Sequence, residues 1–224
     1  MTPALWAVLA LATASLMACR EPDPARPGAV QPLPPGLYEI RALHSGLCLG
    51  EVAAVGPRFA HLVQQVCSST AAQRFAVTAL EGGGYAIRTG DRCATVARGV
   101  ILGAPAIDVA ACDAAPMCVA GRADQAFRLR FIQGGPSRLG DIYEVRAEGG
   151  DCWDVRDAGR GPDAEVIRFG CSGRDNQRFR FRWIGRPGSA EEARCAERAG
   201  WPQLLPADFT LQLPPPLCGG GKCR

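Results

Sequence analysis

The chain has 224 residues, a formal charge of +3, eleven cysteines and only two histidines. Its basic residues are 24 arginines and one lysine, scattered rather than gathered into runs, which argues against nucleic acid as a partner. With no GxSxG or HExxH pattern, no phosphate-binding loop in a strand-to-helix setting and no His/Cys grouping at metal-ligand spacing, the chain is not expected to be an enzyme or to need a metal or cofactor.

Thr2 to Ala18 carry no charge and include Ala4-Leu5-Trp6-Ala7-Val8-Leu9-Ala10-Leu11, which fits the apolar core of a secretory signal and is short for a spanning helix. Leu16-Met17-Ala18-Cys19 resembles a bacterial lipobox. That resemblance implies a signal peptide over 1–18 and a lipidated Cys19 as mature N-terminus, so that any membrane contact runs through the N-terminal lipid alone; a simply secreted chain or a misassigned start is the alternative. Setting Cys19 aside leaves ten cysteines, an even number that pairs fully in an oxidising compartment. Residues 19–35 hold Pro22, Pro24, Pro27, Pro32, Pro34 and Pro35, a density that forbids helix or central strand and favours an extended tether.

From 36 to 184 one unit is written three times. Each copy opens on an aromatic strand signature: Tyr38-Glu39-Ile40-Arg41, Tyr85-Ala86-Ile87-Arg88 and Tyr143-Glu144-Val145-Arg146. Each carries two cysteines nineteen positions apart, Cys48 and Cys67, Cys93 and Cys112, Cys152 and Cys171. Each closes on Gln-x-Phe, at Gln73/Phe75, Gln125/Phe127 and Gln177/Phe179, with the glutamines 52 positions apart. Such repetition means that no unit buries its apolar face alone and that the three share a core. Phe127-Arg128-Leu129-Arg130-Phe131 and Phe179-Arg180-Phe181-Arg182-Trp183 place apolar side chains on one face and arginines on the other, as half-buried strands do. Glycines at Gly82-Gly83-Gly84, Gly134-Gly135 and Gly149-Gly150 mark turns. The expected fold class is all-β, with many short strands. If each cysteine pair closes its own loop, each stabilises the domain by about 3 kcal/mol. The second unit departs from the others: thirteen positions separate Cys112 from Gln125 where the others have six, and Cys118 lies in the insertion.

Residues 185–224 form a cysteine-containing C-terminal extension. Ser189-Ala190-Glu191-Glu192 has the form of a capping box and predicts a short helix through Ala199 carrying Cys195. Proline then returns, and the chain ends Cys218-Gly219-Gly220-Gly221-Lys222-Cys223-Arg224. Cys118, Cys195, Cys218 and Cys223 admit three pairings. Proximity favours Cys218 with Cys223, leaving Cys118 to staple Cys195.

Three units with an aromatic opening strand, Cys-x-Asp-Val or a relic of it, a second cysteine nineteen on and a closing Gln-x-aromatic resemble the ricin B-type lectin family. The likeness covers about two-thirds of the chain; the family's closing motif usually ends in Trp, where all three copies here end in Phe. The resemblance implies a β-trefoil, a six-stranded barrel capped by three hairpins. It also implies a sugar held by an Asp two positions after the first cysteine, an aromatic two before the second, and an Asn just before the closing Gln. The third unit has Asp154, Phe169 and Asn176 at these positions, with Gln177 following, and Ile167 where the family often has Gln. The first unit has Gly50, Gln65 and Ala72, and the second Thr95, Ala110 and Asp124, so neither is expected to bind by this route.

These residue types suit the chemistry. A carboxylate accepts hydrogen bonds from two neighbouring hydroxyls, an amide both donates and accepts, and a flat ring offers an apolar platform for the C–H face of a pyranose. A single shallow site of this kind implies a dissociation constant of about 1 mM and attachment through several copies. The expected function is a carbohydrate-binding module of an exported, surface-anchored chain, with a saccharide or glycan as partner. The alternative is a non-lectin trefoil acting as an envelope interaction or inhibitor domain. A purely structural reading of the same residues makes Asp154 and Asn176 turn formers, Phe169 core and Gln177 a holder of backbone groups; Trp153 is either a further sugar contact or a buried anchor. Nothing in the sequence sets the oligomeric state.

Overall fold

Alternate residues of the opening strand β1 (Gly36–Ala42) turn inward, so that Tyr38, Ile40 and Ala42 join the core while Arg41 reaches outward. The computed structural model describes residues 33–53, 60–81, 83–97, 105–112, 122–136, 139–186 and 195. Eleven further strands follow: β2 (Cys48–Ala53), β3 (Ala60–Gln65), β4 (Phe75–Ala79), β5 (Tyr85–Thr89), β6 (Arg92–Val96), β7 (Ile107–Ala111), β8 (Arg128–Gln133), β9 (Asp141–Arg146), β10 (Cys152–Val155), β11 (Val166–Phe169) and β12 (Phe179–Gly185). Each unit of the sequence thus yields four strands.

The first and last strands of each unit build a six-stranded barrel. β1 pairs with β4 and β12, β4 with β5, and β9 with β8 and β12, all antiparallel. The ring closes between β5 and β8 through a single bridge at Tyr85 and Phe127, whose backbones exchange hydrogen bonds of 2.7 and 2.9 Å. The inner strands form the hairpins β2–β3, β6–β7 and β10–β11. These touch in a cycle: His61 pairs with Asp108, Val63 bridges Glu165, and Ala106 bridges Ile167. In each case the residue four before the second cysteine of one unit meets the residue six before it in another. The pseudo-threefold axis expected from the repeats is therefore written into the strand pairing.

Phe75, Phe127 and Phe179, the three closing phenylalanines, are fully buried. They anchor a core that also holds an edge-to-face aromatic chain, in which Phe181 meets Tyr38 and Tyr143 at centroid distances of 6.1 and 5.5 Å and Tyr143 meets Phe131 at 5.7 Å. Trp153 is fully buried between Phe127 and Phe179, at 5.0 and 6.1 Å, so it is an anchor of the core. The core begins ahead of β1, because Leu33 is buried and donates its N–H to the Tyr85 hydroxyl at 2.9 Å. Trp183 departs from the alternating pattern: it lies 48% exposed, with its indole beside Gly36, where a Cβ would come within 2.6 Å of the ring nitrogen.

Three disulfides, Cys48–Cys67, Cys93–Cys112 and Cys152–Cys171, each tie the first strand of a hairpin to the segment just past its second strand, with Cα separations of 5.0, 4.9 and 5.1 Å. Each closes a loop within its own unit, as the spacing predicts. Cys195 is buried, helical and disulfide-bonded. The remaining expected helix from Ser189, the leader, the anchor at Cys19, most of the proline-rich segment, and Cys118, Cys218 and Cys223 lie outside the described residues.

Outside the barrel, Glu39 accepts from Arg182 and Arg41, and Glu144 from Arg130 and Arg146, at 2.6 to 3.0 Å. Burial pushes these carboxyls up, but the guanidinium partners outweigh it and hold both below the usual range. Arg182–Glu39 joins the third unit to the first and Arg130–Glu144 the second to the third. The corresponding pair at the junction of the first and second units is Thr78 and Ala86, which carries no charge.

Candidate functional site

The hairpin of the third unit presents two faces. Trp153, Val155 and Val166 turn into the core. Directly paired residues of an antiparallel hairpin share a face, so the register Cys152↔Phe169 and Asp154↔Ile167 puts Asp154, Ile167 and Phe169 together on the opposite side. The 3-10 turn Asp175–Gln177 then brings Asn176 and Gln177 against Asp154.

Asp154 is 7% exposed. Its Oδ1 accepts from Asn176 Nδ2 at 3.0 Å and its Oδ2 from Gln177 Nε2 at 2.7 Å. Burial raises the carboxyl above its usual range; the Gln177 and Asn176 amides and nearby His44 pull it down, and Asp157 adds to the rise. One lone pair on each oxygen remains for an outside donor. Asn176 spends both amide hydrogens inward, on Asp154 and on the Val155 carbonyl at 3.3 Å, so its Oδ1 is left as an acceptor. Phe169 is 55% exposed, a large apolar ring open to solvent beside a nearly buried carboxylate.

Gln177 has a different task. It is fully buried, takes the Ser172 and Gly173 N–H groups on Oε1 at 2.6 and 3.2 Å, and gives Nε2 to the Gly170 carbonyl at 2.9 Å. Gln73 does the same in the first unit, with Ser68 N at 2.8 Å and the Val66 carbonyl at 2.9 Å, and Gln125 bonds the Ala111 carbonyl at 2.9 Å in the second. The closing glutamine is thus a clamp repeated in every unit, which in the third also orients Asp154. Ile167 is 5% exposed and its backbone bridges Ala106 of the second unit, so the hairpin cycle packs against it.

The other two units lack the arrangement. At the Asp position of the first, a Cβ on Gly50 would lie 2.6 Å from Gln65 Oε1, because the Gln65 side chain fills that space. In the second, Thr95 Oγ1 accepts from Gln125 Nε2 at 3.0 Å and Asp124 turns to Arg122 at 2.9 Å. The sequence comparison of units missed what surrounds the third site. Residues 156–165, which leave β10 just after Asp154, rest on His44 and Gln64 of the first unit, and no within-unit motif points to residues contributed by another copy.

A family model described as a ricin-type beta-trefoil lectin domain-like region matches residues 30–97, the first unit and the start of the second. Among solved structures, the designed threefold-symmetric protein ThreeFoil aligns at 24% identity and a TM-score of 0.53, covering 66% of this chain and 99% of that one. The fold is a β-trefoil. The ricin B-like lectin of Macrolepiota procera, solved in complex with lactose, aligns at 9% identity and a TM-score of 0.50 over 69% of this chain and 99% of that one. An exo-beta-1,3-galactanase from Clostridium thermocellum gives 16% identity and 0.53 over 66% of this trefoil chain, yet only 30% of its own length. No curated protein matches the sequence.

Proposed function

We propose that the trefoil is a ricin B-type carbohydrate-binding module that holds one saccharide in its third unit. The observation that carries this reading is the pairing of an outward-facing, nearly buried carboxylate at Asp154 with an exposed ring at Phe169 on the same hairpin face. Burial outweighs the Gln177 and Asn176 amides and nearby His44 and raises the Asp154 carboxyl, a cost that the fold does not require, since Gly50 and Thr95 stand at the same place in the other units. The two acceptors left open, on Asp154 and Asn176, suit the hydroxyl hydrogens of a vicinal diol, and Phe169 suits the C–H face of the ring that carries it. Gln177 supports the cradle rather than touching the sugar.

The chain is read as exported. Three disulfides persist in an oxidising compartment, the apolar leader is of signal length, and Cys19 is proposed as the lipidated residue that tethers the module through the proline-rich segment. Mass spectrometry of the mature N-terminus tests the anchor, an unmodified Cys19 speaking against it. The site is tested by a glycan array of wild type beside Asp154→Ala and Asn176→Ala. Binding lost in both supports the site, and binding that survives both removes it. A chain that binds no glycan at all returns the trefoil to the alternative role of a protein-interaction or inhibitor domain.

A further inference from the structure

The loop that rims Asp154 belongs to the third unit by sequence but not by support. Residues 156–165 join β10 to β11, and Gln64 of the first unit sits fully buried beneath them. Gln64 Nε2 donates to the Gly159 and Gly161 carbonyls at 2.7 and 2.6 Å, while its Oε1 accepts from Ser45 Oγ at 2.8 Å. Its backbone N–H donates to Ala164 O at 3.0 Å and its carbonyl accepts from Asp163 N at 2.7 Å. His44, in the β1–β2 turn, reaches the same Gly159 carbonyl through Nε2 at 2.8 Å, and Arg160 returns a bond to the His44 carbonyl at 2.6 Å.

Two further observations separate this junction from ordinary packing. Asp157, Ala158 and Asp163, all within the loop, have φ of 55°, 51° and 64°; among the described residues the only other non-glycine with positive φ is Ser69. Left-handed backbone at such residues persists only where the surroundings over-determine it, and it gathers at ligand clamps. The position of Gln64, three before the second cysteine, is taken in the second unit by Val109, buried in the core, and in the third by the half-buried Arg168. The fold at that place accepts an apolar residue, so the amide of Gln64 answers to something beyond the hairpin cap.

We propose that the saccharide cradle is shared between units, with Gln64 and His44 of the first unit acting as positioning residues that hold the 156–165 loop in its left-handed form beside Asp154. This rests on the reading of the third unit as the sugar site. His44 and Gln64 touch no ligand in this scheme; they set the height of a rim that Asp157 and Gly159 form next to the carboxylate.

The test uses the full chain on a glycan array over a concentration series, comparing wild type with Asp154→Ala, Gln64→Leu, His44→Leu and His44→Gln. His44→Gln keeps a donor within reach of Gly159 and His44→Leu does not. The expected result is about tenfold weaker binding for Gln64→Leu and for His44→Leu, with recovery in His44→Gln, as the loss of one or two hydrogen bonds implies. Because His44 is only half-buried, its melting temperature serves as the control against general damage. Faster amide exchange over residues 157–164 in His44→Leu, at unchanged melting temperature, is the second expected signature. Binding that needs Asp154 but is the same in all three variants overturns the shared cradle and leaves the site standing. Binding that ignores Asp154, or is absent from the wild type, overturns the site and this proposal with it.

Discussion

Replacing Gln73 by Leu tests the assignment of the closing glutamine to structure, in a unit where no sugar residues confuse the outcome. Gln73 is buried, receives Ser68 N at 2.8 Å and Ser68 Oγ at 3.2 Å, and donates to Val66 O at 2.9 Å. Leucine has a similar volume and no polar atoms, so the change strands one backbone donor and one backbone acceptor. Each costs about 1–3 kcal/mol; since Ser68 and Val66 are themselves exposed, water softens the loss and the low end applies, about 2 kcal/mol in all. For a domain of this size that is a fall of about 4–8 °C in melting temperature, read by calorimetry on the oxidised chain. Glycan binding per folded molecule stays at the wild-type level. A fall below about 2 °C, less than one such group is worth, would refute the clamp, and lost binding without lost stability would make this glutamine part of a site.

Three other outcomes follow from the same geometry. The proposed cradle binds through an ionised Asp154, and burial lifts that carboxyl above the ordinary value of 3.8, so titrating the array signal downward should show the loss at a higher pH than an ordinary aspartate gives. Glu39 and Glu144 have the opposite sign: each is held below 4.5, their stabilisation is complete above that value and is lost as pH falls through their folded pKa, so Glu144→Gln should flatten the acid limb of a melting-temperature profile; its arginine partners are partly exposed, which limits the effect to about 1 kcal/mol. Gly50→Asp alone must displace Gln65 and should create no site, whereas Gly50→Asp with Gln65→Phe and Ala72→Asn transplants the third-unit set. The triple variant should bind a multivalent glycan surface more tightly than wild type, and equal binding would show that the three residues are insufficient.

The barrel was legible in the sequence because its determinants repeat. Tyr38, Tyr85 and Tyr143, the paired cysteines and the closing phenylalanines each recur in one frame, and each recurrence became one strand, one disulfide or one core anchor. The meeting of Asp154 with Asn176 was legible for the same reason in reverse, since the two stand out where the copies differ. The burial of Ile167 was not, since its position in the unit says nothing about Ala106 of another unit, which bridges it. His44 and Gln64 escaped for a related reason: the contact between 44 or 64 and 159–161 crosses about a hundred positions, and no periodicity reports which loop of one copy will settle on which turn of another. Trp183 followed the alternation of its strand and still came out exposed, because the barrel ends there.

Leu37 is the register partner of Gly185, so the polypeptide comes into the trefoil and leaves it side by side, at neighbouring staves of the barrel. A bead with adjoining ends can be spliced into a surface loop of another protein, or strung beside a catalytic unit, without stretching either host. The strands that open and close the trefoil, β1 and β12, thus share one seam, while the hairpin β10–β11 pairs with neither of them.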